Sequence, residues 1–276
     1  LESLYSMLEN NDTRAFIVLK NGKIVIEKYW GKNIIGTTDF DKDTKWYWAS
    51  AAKTLTAFTV QKAAQHNYLK LSDTSSKYLG SSWTSLPSAK EEKITIWNQL
   101  TMTTGLDDTK GDAAEPLDLT YAADAGTRWA YHNAPYTLLE KVVSNATSQD
   151  FNSYFNENLQ DVIGMTGVWQ WSGDNHLYLS DARSAARFGL LMMHRGRWDR
   201  CTLLSETEAI SATSSSQQIN PSYGYLWWLN GQNEYMLPQS QFEFSGLLIP
   251  NAPLDSYSAI GRSEERRVGK ECRSRW

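Results

Sequence analysis

Ser50-Ala51-Ala52-Lys53 is followed by Tyr131-His132-Asn133, with Tyr131 lying 81 positions after Ser50. A serine three residues before a lysine puts both side chains on one face at the start of a helix, where the amine can take the hydroxyl proton. Of the lysines in the chain, Lys53 alone has a serine at i−3. An ordinary serine hydroxyl is a poor nucleophile, so its base must be neutral. Lys53 meets that need when a dry cleft or a nearby cation lowers its pKa. Tyr131 can share or relay the proton and deliver it to a leaving group. The Asn133 amide can bond both Lys53 and a substrate carbonyl or amide, so it orients rather than reacts. The Ser50 backbone N–H supplies one donor for a developing oxyanion. Taken singly, each motif also fits a plainer role, with Ser50 as an N-cap and Tyr131 and Asn133 as a core aromatic and a turn residue. Order and flanks decide between the readings.

Other catalytic systems find less support. No Gly-x-Ser-x-Gly elbow occurs, which disfavours a Ser-His-Asp hydrolase of the α/β type. His66, His132, His176 and His194 show no metal-ligand spacing, so neither a metal nor another cofactor is expected. Gly22, Gly31 and Gly36 form no phosphate-binding loop. Most of the 12 tryptophans are assigned to the core, with Trp48 or Trp129 expected to line the cleft because of proximity to the motifs.

These residues need elements to position them. Trp46 to Ala49 reads as an extended approach to a helix over about 51–66. Further helices are predicted at 95–102, 134–147, 150–160, 181–195 and 205–213. A short amphipathic helix carries Leu1, Leu4, Tyr5 and Leu8. Asn21-Gly22 between two β-rich runs is a two-residue hairpin signal. Strand character returns at Tyr223 to Leu229 and Asp255 to Ile260. Strands at both ends around a helical middle predict an α+β fold, an antiparallel sheet built from both termini with an inserted helical lobe. The expected division is a sheet lobe of about 1–50 and 215–261 and a helical lobe of about 51–214. Asp107 to Asp124 reads as a long excursion over the cleft.

Residues 262–276, from Arg262 to Trp276, break from the aromatic, weakly charged character before them. They resemble an in-frame translation of a short-read sequencing adapter and are excluded from fold reasoning. Six of the 27 Lys+Arg and three of the 31 Asp+Glu lie there, which leaves 21 basic and 28 acidic residues and a net charge of −7. That balance disfavours nucleic acid as a partner. Cys201 is then the one remaining cysteine, so no internal disulfide is expected and the redox compartment is not readable. No apolar run reaches the length of a membrane span. Opening on Leu1, the chain is read as incomplete at its N-terminus.

The flanks of the motifs carry a family resemblance. Trp48 to Phe58 resembles the nucleophile helix of the class C β-lactamase and penicillin-binding-protein-like serine hydrolases. Ile94 to Leu106 is similar to that family's "LLxHTSGL" segment, and Gly126 to Asn133 to its "PGxxxxYxN" segment. Leu179 to Met192 and Tyr223 to Trp228 are similar to two later blocks, and the five stand in family order over roughly residues 15 to 261. The resemblance is nearest to family VIII esterases and 6-aminohexanoate-dimer hydrolases. It implies a cleft between sheet and helical lobe, with Ser50 as nucleophile, Lys53 as base, Tyr131 as acid/base and Asn133 as orienter. It also implies a second oxyanion donor on a strand bearing Lys-Thr-Gly or a variant. No Lys-Thr-Gly occurs, and Tyr257 to Gly261 lies where that strand begins, so Ile260 and Gly261 are the substrate-binding candidates. Two further strands and a closing helix follow in the family, so the fold is expected to be truncated and its activity impaired. Family relatives are commonly exported, which makes a periplasmic or secreted location the expectation.

Two functions fit. One is a serine hydrolase forming an acyl-enzyme on Ser50 with a small-molecule ester, amide or lactam. The other is a non-catalytic penicillin-binding-protein-like module that recognises peptide or cell-wall fragments. Retention of Ser50, Lys53, Tyr131 and Asn133 together favours the enzyme.

Overall fold

Asn21 and Gly22 both take positive φ, 51° and 73°, which gives the turn a right-handed hairpin needs. This turn joins Ala15–Lys20 to Lys23–Tyr29 as an antiparallel pair with Ala15 opposite Tyr29 and Lys20 opposite Lys23. The computed structural model describes residues 1–261. Helix Glu2–Asn10 precedes the hairpin and buries none of its residues. Helix Ala182–Met193 packs on the Ala15–Lys20 strand, and Arg183 grips Glu27 of the hairpin with Nε and a terminal nitrogen at 2.7 and 2.8 Å.

The core forms around helix Lys53–Gln65, of which 11 of 13 residues are buried. A helix enclosed on every side needs no polar stripe; here Leu55, Phe58 and Val60 alternate with threonines and alanines whose small side chains admit close neighbours. Its buried polar groups are bonded, as burial demands, save Gln61 Oε1, which has no partner. Thr59 Oγ1 donates to Leu55 O at 2.8 Å, Gln61 Nε2 to Glu208 O at 2.7 Å and Lys62 Nζ to Leu203 O at 2.6 Å. Helix Asn133–Thr147 packs alongside it.

All six predicted helical stretches contain helix, at Lys53–Gln65, Ile96–Leu100, Asn133–Thr147, Phe151–Phe155, Ala182–Met193 and Glu206–Ala212. Within the stretch read as helical, however, Gly167–Ser172 and Asn175–Ser180 form a β-hairpin. Its inward face carries His176, Tyr178 and Ser180, while Leu177 and Leu179 are only half-buried. Polar residues on the buried face conceal the alternation that marks a strand. Trp46–Tyr47 pairs with this hairpin, Trp46 opposite Ser180 and Tyr47 opposite Leu179, giving a three-stranded antiparallel sheet.

The later strands are shorter than predicted. Trp228–Leu229 pairs with Tyr257–Ser258, and among the described residues this pair and the N-terminal hairpin are separate two-stranded ladders. The fold is α+β with antiparallel pairing throughout the described strands. The adapter reading of 262–276 and the strands and helix expected after Gly261 lie outside the described residues.

Candidate functional site

Three backbone and side-chain constraints aim Ser50. Trp48 N–H donates to Tyr178 O at 2.9 Å and Trp48 Nε1 to Ser180 Oγ at 2.7 Å, which ties the approach segment to the Gly167–Ser180 hairpin. Ala49 then takes φ of 46°, a left-handed conformation that costs a non-glycine residue about 1–3 kcal/mol and persists only where its surroundings enforce it. The chain turns there into a short 3₁₀ segment, Ala49–Ala52, that runs into helix Lys53–Gln65. Ser50 is thus the second residue of a sharp turn and half-buried.

Lys53 Nζ lies 3.0 Å from Ser50 Oγ. The lysine is 3% exposed, and loss of hydration drives its pKa down to about 7, against the opposing pull of the Asp112 carboxylate. Its nitrogen also rests over the rings of Tyr136 at 4.6 Å and Tyr131 at 5.0 Å. An amine with that pKa is partly neutral at neutral pH, and the free amine can accept the serine proton.

Tyr131 lies close enough to Ser50 for the serine side chain to act on its phenol, and burial holds its ionisation far above the ordinary tyrosine range. It therefore stays a phenol at neutral pH and serves as a donor. Its ring stacks on Trp228 at 5.8 Å and meets Tyr223 edge-on at 6.3 Å. Trp129, fully buried, packs against Tyr223 and Trp228 behind Tyr131. Trp129 is thus core rather than cleft lining, while Trp48 stays half-buried with its ring edge-on to Tyr178.

The Tyr131-His132-Asn133 segment is held from below by the chain around Ile96–Leu100. Thr95 and Asn98 form a reciprocal capping box there. Ala130 N–H donates to Met102 O at 2.9 Å, Gly126 N–H to Thr103 O at 2.8 Å, and Gln99 Nε2 to Pro135 O at 2.7 Å. Asn133 opens helix Asn133–Thr147. Its Oδ1 is buried and has no hydrogen-bond partner, so it makes no bond to Lys53 and keeps an acceptor in reserve. Gly261 lies against the nucleophile turn. A Cβ there would stand 2.2 Å from Trp48 O and 3.1 Å from Ser50 N, so only glycine allows this approach. Ile260 packs on the main core beside it.

Ser50, Lys53 and Tyr131 are therefore brought together, Gly261 lies beside the Ser50 amide, and Asn133 stands on the helix that carries Tyr136. Sequence reasoning did not single out Tyr136 or Asp112. Tyr136 stands three residues after Asn133 on one helix face, a signal that was available. Asp112 belongs to the 107–124 segment read as an excursion over the cleft, within which no local pattern singles it out. Among the described residues, no group of three His, Cys, Asp or Glu side chains could hold a metal, and no helix is long and apolar enough to cross a membrane.

Comparison with known proteins places the chain and its fold. The family model described as "Beta-lactamase" matches residues 12–254. Protein flp of Staphylococcus aureus (strain NCTC 8325 / PS 47) is 27% identical over 167 residues, covering 55% of this chain. The chain spans about a third of the length of that curated relative, which it covers to 33%. Among solved structures, a candidate 6-aminohexanoate-dimer hydrolase from Bacillus anthracis superposes with a TM-score of 0.67 at 20% identity, over 86% of this chain and 71% of that one. A penicillin-binding protein from Bacillus halodurans gives 0.66 at 17% identity, over 84% and 86%. A penicillin-binding-protein homologue from Caulobacter crescentus gives 0.68 at 12%, over 83% and 80%. At these identities the superpositions speak for the fold.

Proposed function

The chain belongs to the beta-lactamase family, whose function is of the serine-hydrolase type, and from that premise we propose that it cleaves an ester, amide or lactam through an acyl-enzyme on Ser50. The observation that carries this reading is the buried Lys53 amine 3.0 Å from the Ser50 hydroxyl, with its pKa lowered to about 7.

In this mechanism the neutral Lys53 amine removes the Ser50 proton as Oγ attacks the carbonyl carbon. The oxyanion forms against the Ser50 backbone N–H. Tyr131, kept protonated by burial, passes a proton to the leaving alcohol or amine and recovers one from Lys53. The acyl group is then on Ser50 Oγ, and water attacks it by the same route in reverse. Asn133 holds the substrate through its free amide oxygen, and the 260–261 backbone walls the oxyanion side.

Within residues 1–261 no Lys-Thr-Gly supplies a cation for a substrate carboxylate. Short esters and small amides are therefore the preferred substrates, ahead of cephalosporins. The test is covalent labelling with a fluorophosphonate, followed by peptide mass spectrometry. The probe mass is expected on the Ser50 peptide and absent in Ser50→Ala; an adduct on a different serine overturns the assignment. Comparison of kcat/KM for p-nitrophenyl butyrate and nitrocefin tests the preference, and a higher value for nitrocefin contradicts it.

A further inference from the structure

Transfer of the Ser50 proton leaves Lys53 as an ammonium ion inside the protein, and a buried charge needs a partner. Among the described residues no ion pair includes Lys53, and Ser50 Oγ is the one hydrogen-bond partner of its amine. A carboxylate in contact would fix the amine as a cation and end its use as a base. Something weaker must receive the charge.

Ring faces can do so. Lys53 Nζ stands 4.6 Å from the centroid of Tyr136 and 5.0 Å from that of Tyr131, inside the range of about 6 Å over which the negative face of an aromatic ring attracts a cation. Tyr136 is the nearer of the two and only 4% exposed. Its hydroxyl reaches across from helix Asn133–Thr147 to Thr56 Oγ1 at 3.4 Å, and Thr56 stands three residues after Lys53, on the same side of the facing helix. The ring is thus held between the two helices with the amine over it. Burial keeps the phenols of Tyr136, Tyr131 and Tyr223 protonated far above the ordinary tyrosine range, so the aromatic lining around the amine carries no charge of its own.

Resting on the reading of Lys53 as the base of Ser50, we propose that Tyr136 is a positioning residue whose ring face seats the Lys53 amine and stabilises the positive charge it gains as the serine proton arrives. A ring that favours the ammonium raises the proton affinity of the amine, against the burial that lowers it. Weakening the ring must therefore move the Lys53 titration to lower pH. The charged and titratable groups around the pair are Asp112, whose charge acts on Lys53, and Glu140, which acts on Tyr136 from one turn along its helix and is itself bonded to His176. Tyr131 and Tyr223 complete the set. A change confined to the Tyr136 ring leaves all of them in place.

The test grades the electron density of the ring at nearly constant shape. Tyr136→Phe and its mono-, di- and trifluorinated phenylalanine counterparts are made in the full chain, and the rate of fluorophosphonate labelling at Ser50 is followed against pH. Tyr136→Phe should keep the original midpoint, since the ring remains. The midpoint should then fall stepwise with each added fluorine, by up to about one pH unit, the scale of one buried ring–cation contact. A midpoint that stays fixed along the fluorinated series, or a shift that appears on loss of the hydroxyl and does not grow with fluorine, overturns the proposal. A second arm does not depend on catalysis. In Ser50→Ala, the Cε resonance of isotopically labelled Lys53, assigned by its loss in Lys53→Arg, reports the titration of the amine and should show the same downward steps. If it does and no probe mass appears on Ser50 in the chain that keeps the serine, the ring–amine contact stands and the nucleophile reading falls. If Ser50 is labelled with a Lys53-dependent step and neither readout moves along the series, the nucleophile reading stands and the role of Tyr136 falls.

Discussion

Helices Lys53–Gln65 and Glu2–Asn10 stand at opposite extremes of burial in this molecule. The first is enclosed over 11 of its 13 residues, and the second buries none. Around the first, Ala57, Val60, Leu139 and Val142 are fully enclosed in the main core. The layer around the second leaves Ile24 and Val25 of the hairpin 44% and 55% exposed and is tied to the body by the Arg183–Glu27 pair. The proposed base sits at the head of the enclosed helix. A lysine there can be desolvated without collapse of the turn before it, because its neighbours are fixed by packing. Chemistry and rigidity therefore share one element, while the outer layer contributes little to either.

The comparison can be broken most directly at the serine. Ser50→Ala should lower ester turnover by at least about a thousandfold, since it removes the atom that becomes acylated. Lys53→Ala and Tyr131→Phe should each cost at least about a hundredfold, the scale of a positioned acid–base group. No substitution in residues 1–29 should approach these losses, and one that did would mean the outer layer takes part in the site. Gly261→Ala sharpens the same point from the other side. Its Cβ has no space beside Trp48 O, so activity should fall with the Ser50 turn displaced.

Stability separates the two regions next. Leu139→Ala, at a fully buried site beside the Lys53 helix, should destabilise by about 2–5 kcal/mol in denaturant titration. Leu4→Ala, on a helix with no buried residue, should stay within about 0.5 kcal/mol. Arg183→Ala should cost no more than about 1 kcal/mol, because Arg183 is 40% exposed and its ion pair is screened. Lys53 adds a pH signature. Its folded pKa, about 7, lies below the unfolded lysine value, so over that interval the unfolded state binds the extra proton. Stability from this group must rise as pH climbs from about 7 towards about 10.4, and Lys53→Met should flatten that rise.

The enclosed region was the more legible in sequence. Ser50, Lys53 and Tyr131 announce themselves by spacing and flanks, and the structure puts Lys53 within bonding distance of Ser50 and over the Tyr131 ring. Helices with good formers and clear breaks, such as Asn133–Thr147, fall within a residue or two of their predicted bounds. The Gly167–Ser180 hairpin was concealed because its buried positions hold His176 and Ser180, and His176 is tolerated there only through its 2.7 Å contact with Glu140. That pairing spans two elements, so no local pattern could reveal it. Asp112 falls in the 107–124 segment read as an excursion over the cleft, but it was not singled out there, since its loop is fixed by His132 and Asn175, which lie far along the chain. Trp129 misled in the other direction: two residues before Tyr131 it shares a face with it in an extended segment, but its ring packs behind Tyr131 against Tyr223 and Trp228, inside the core.

The central claim is that a desolvated Lys53 amine activates Ser50. It is tested most directly by the pH dependence of the rate at which a fluorophosphonate acylates Ser50, followed peptide by peptide in the mass spectrometer. With Lys53 near 7 and Tyr131 protonated well beyond the ordinary range, the rate should rise with a single proton step centred near neutral pH and then stay level into the alkaline range. In Lys53→Ala the residual rate should lose that step. A midpoint near the ordinary lysine value of about 10.4, or an unchanged profile in Lys53→Ala, would contradict the account.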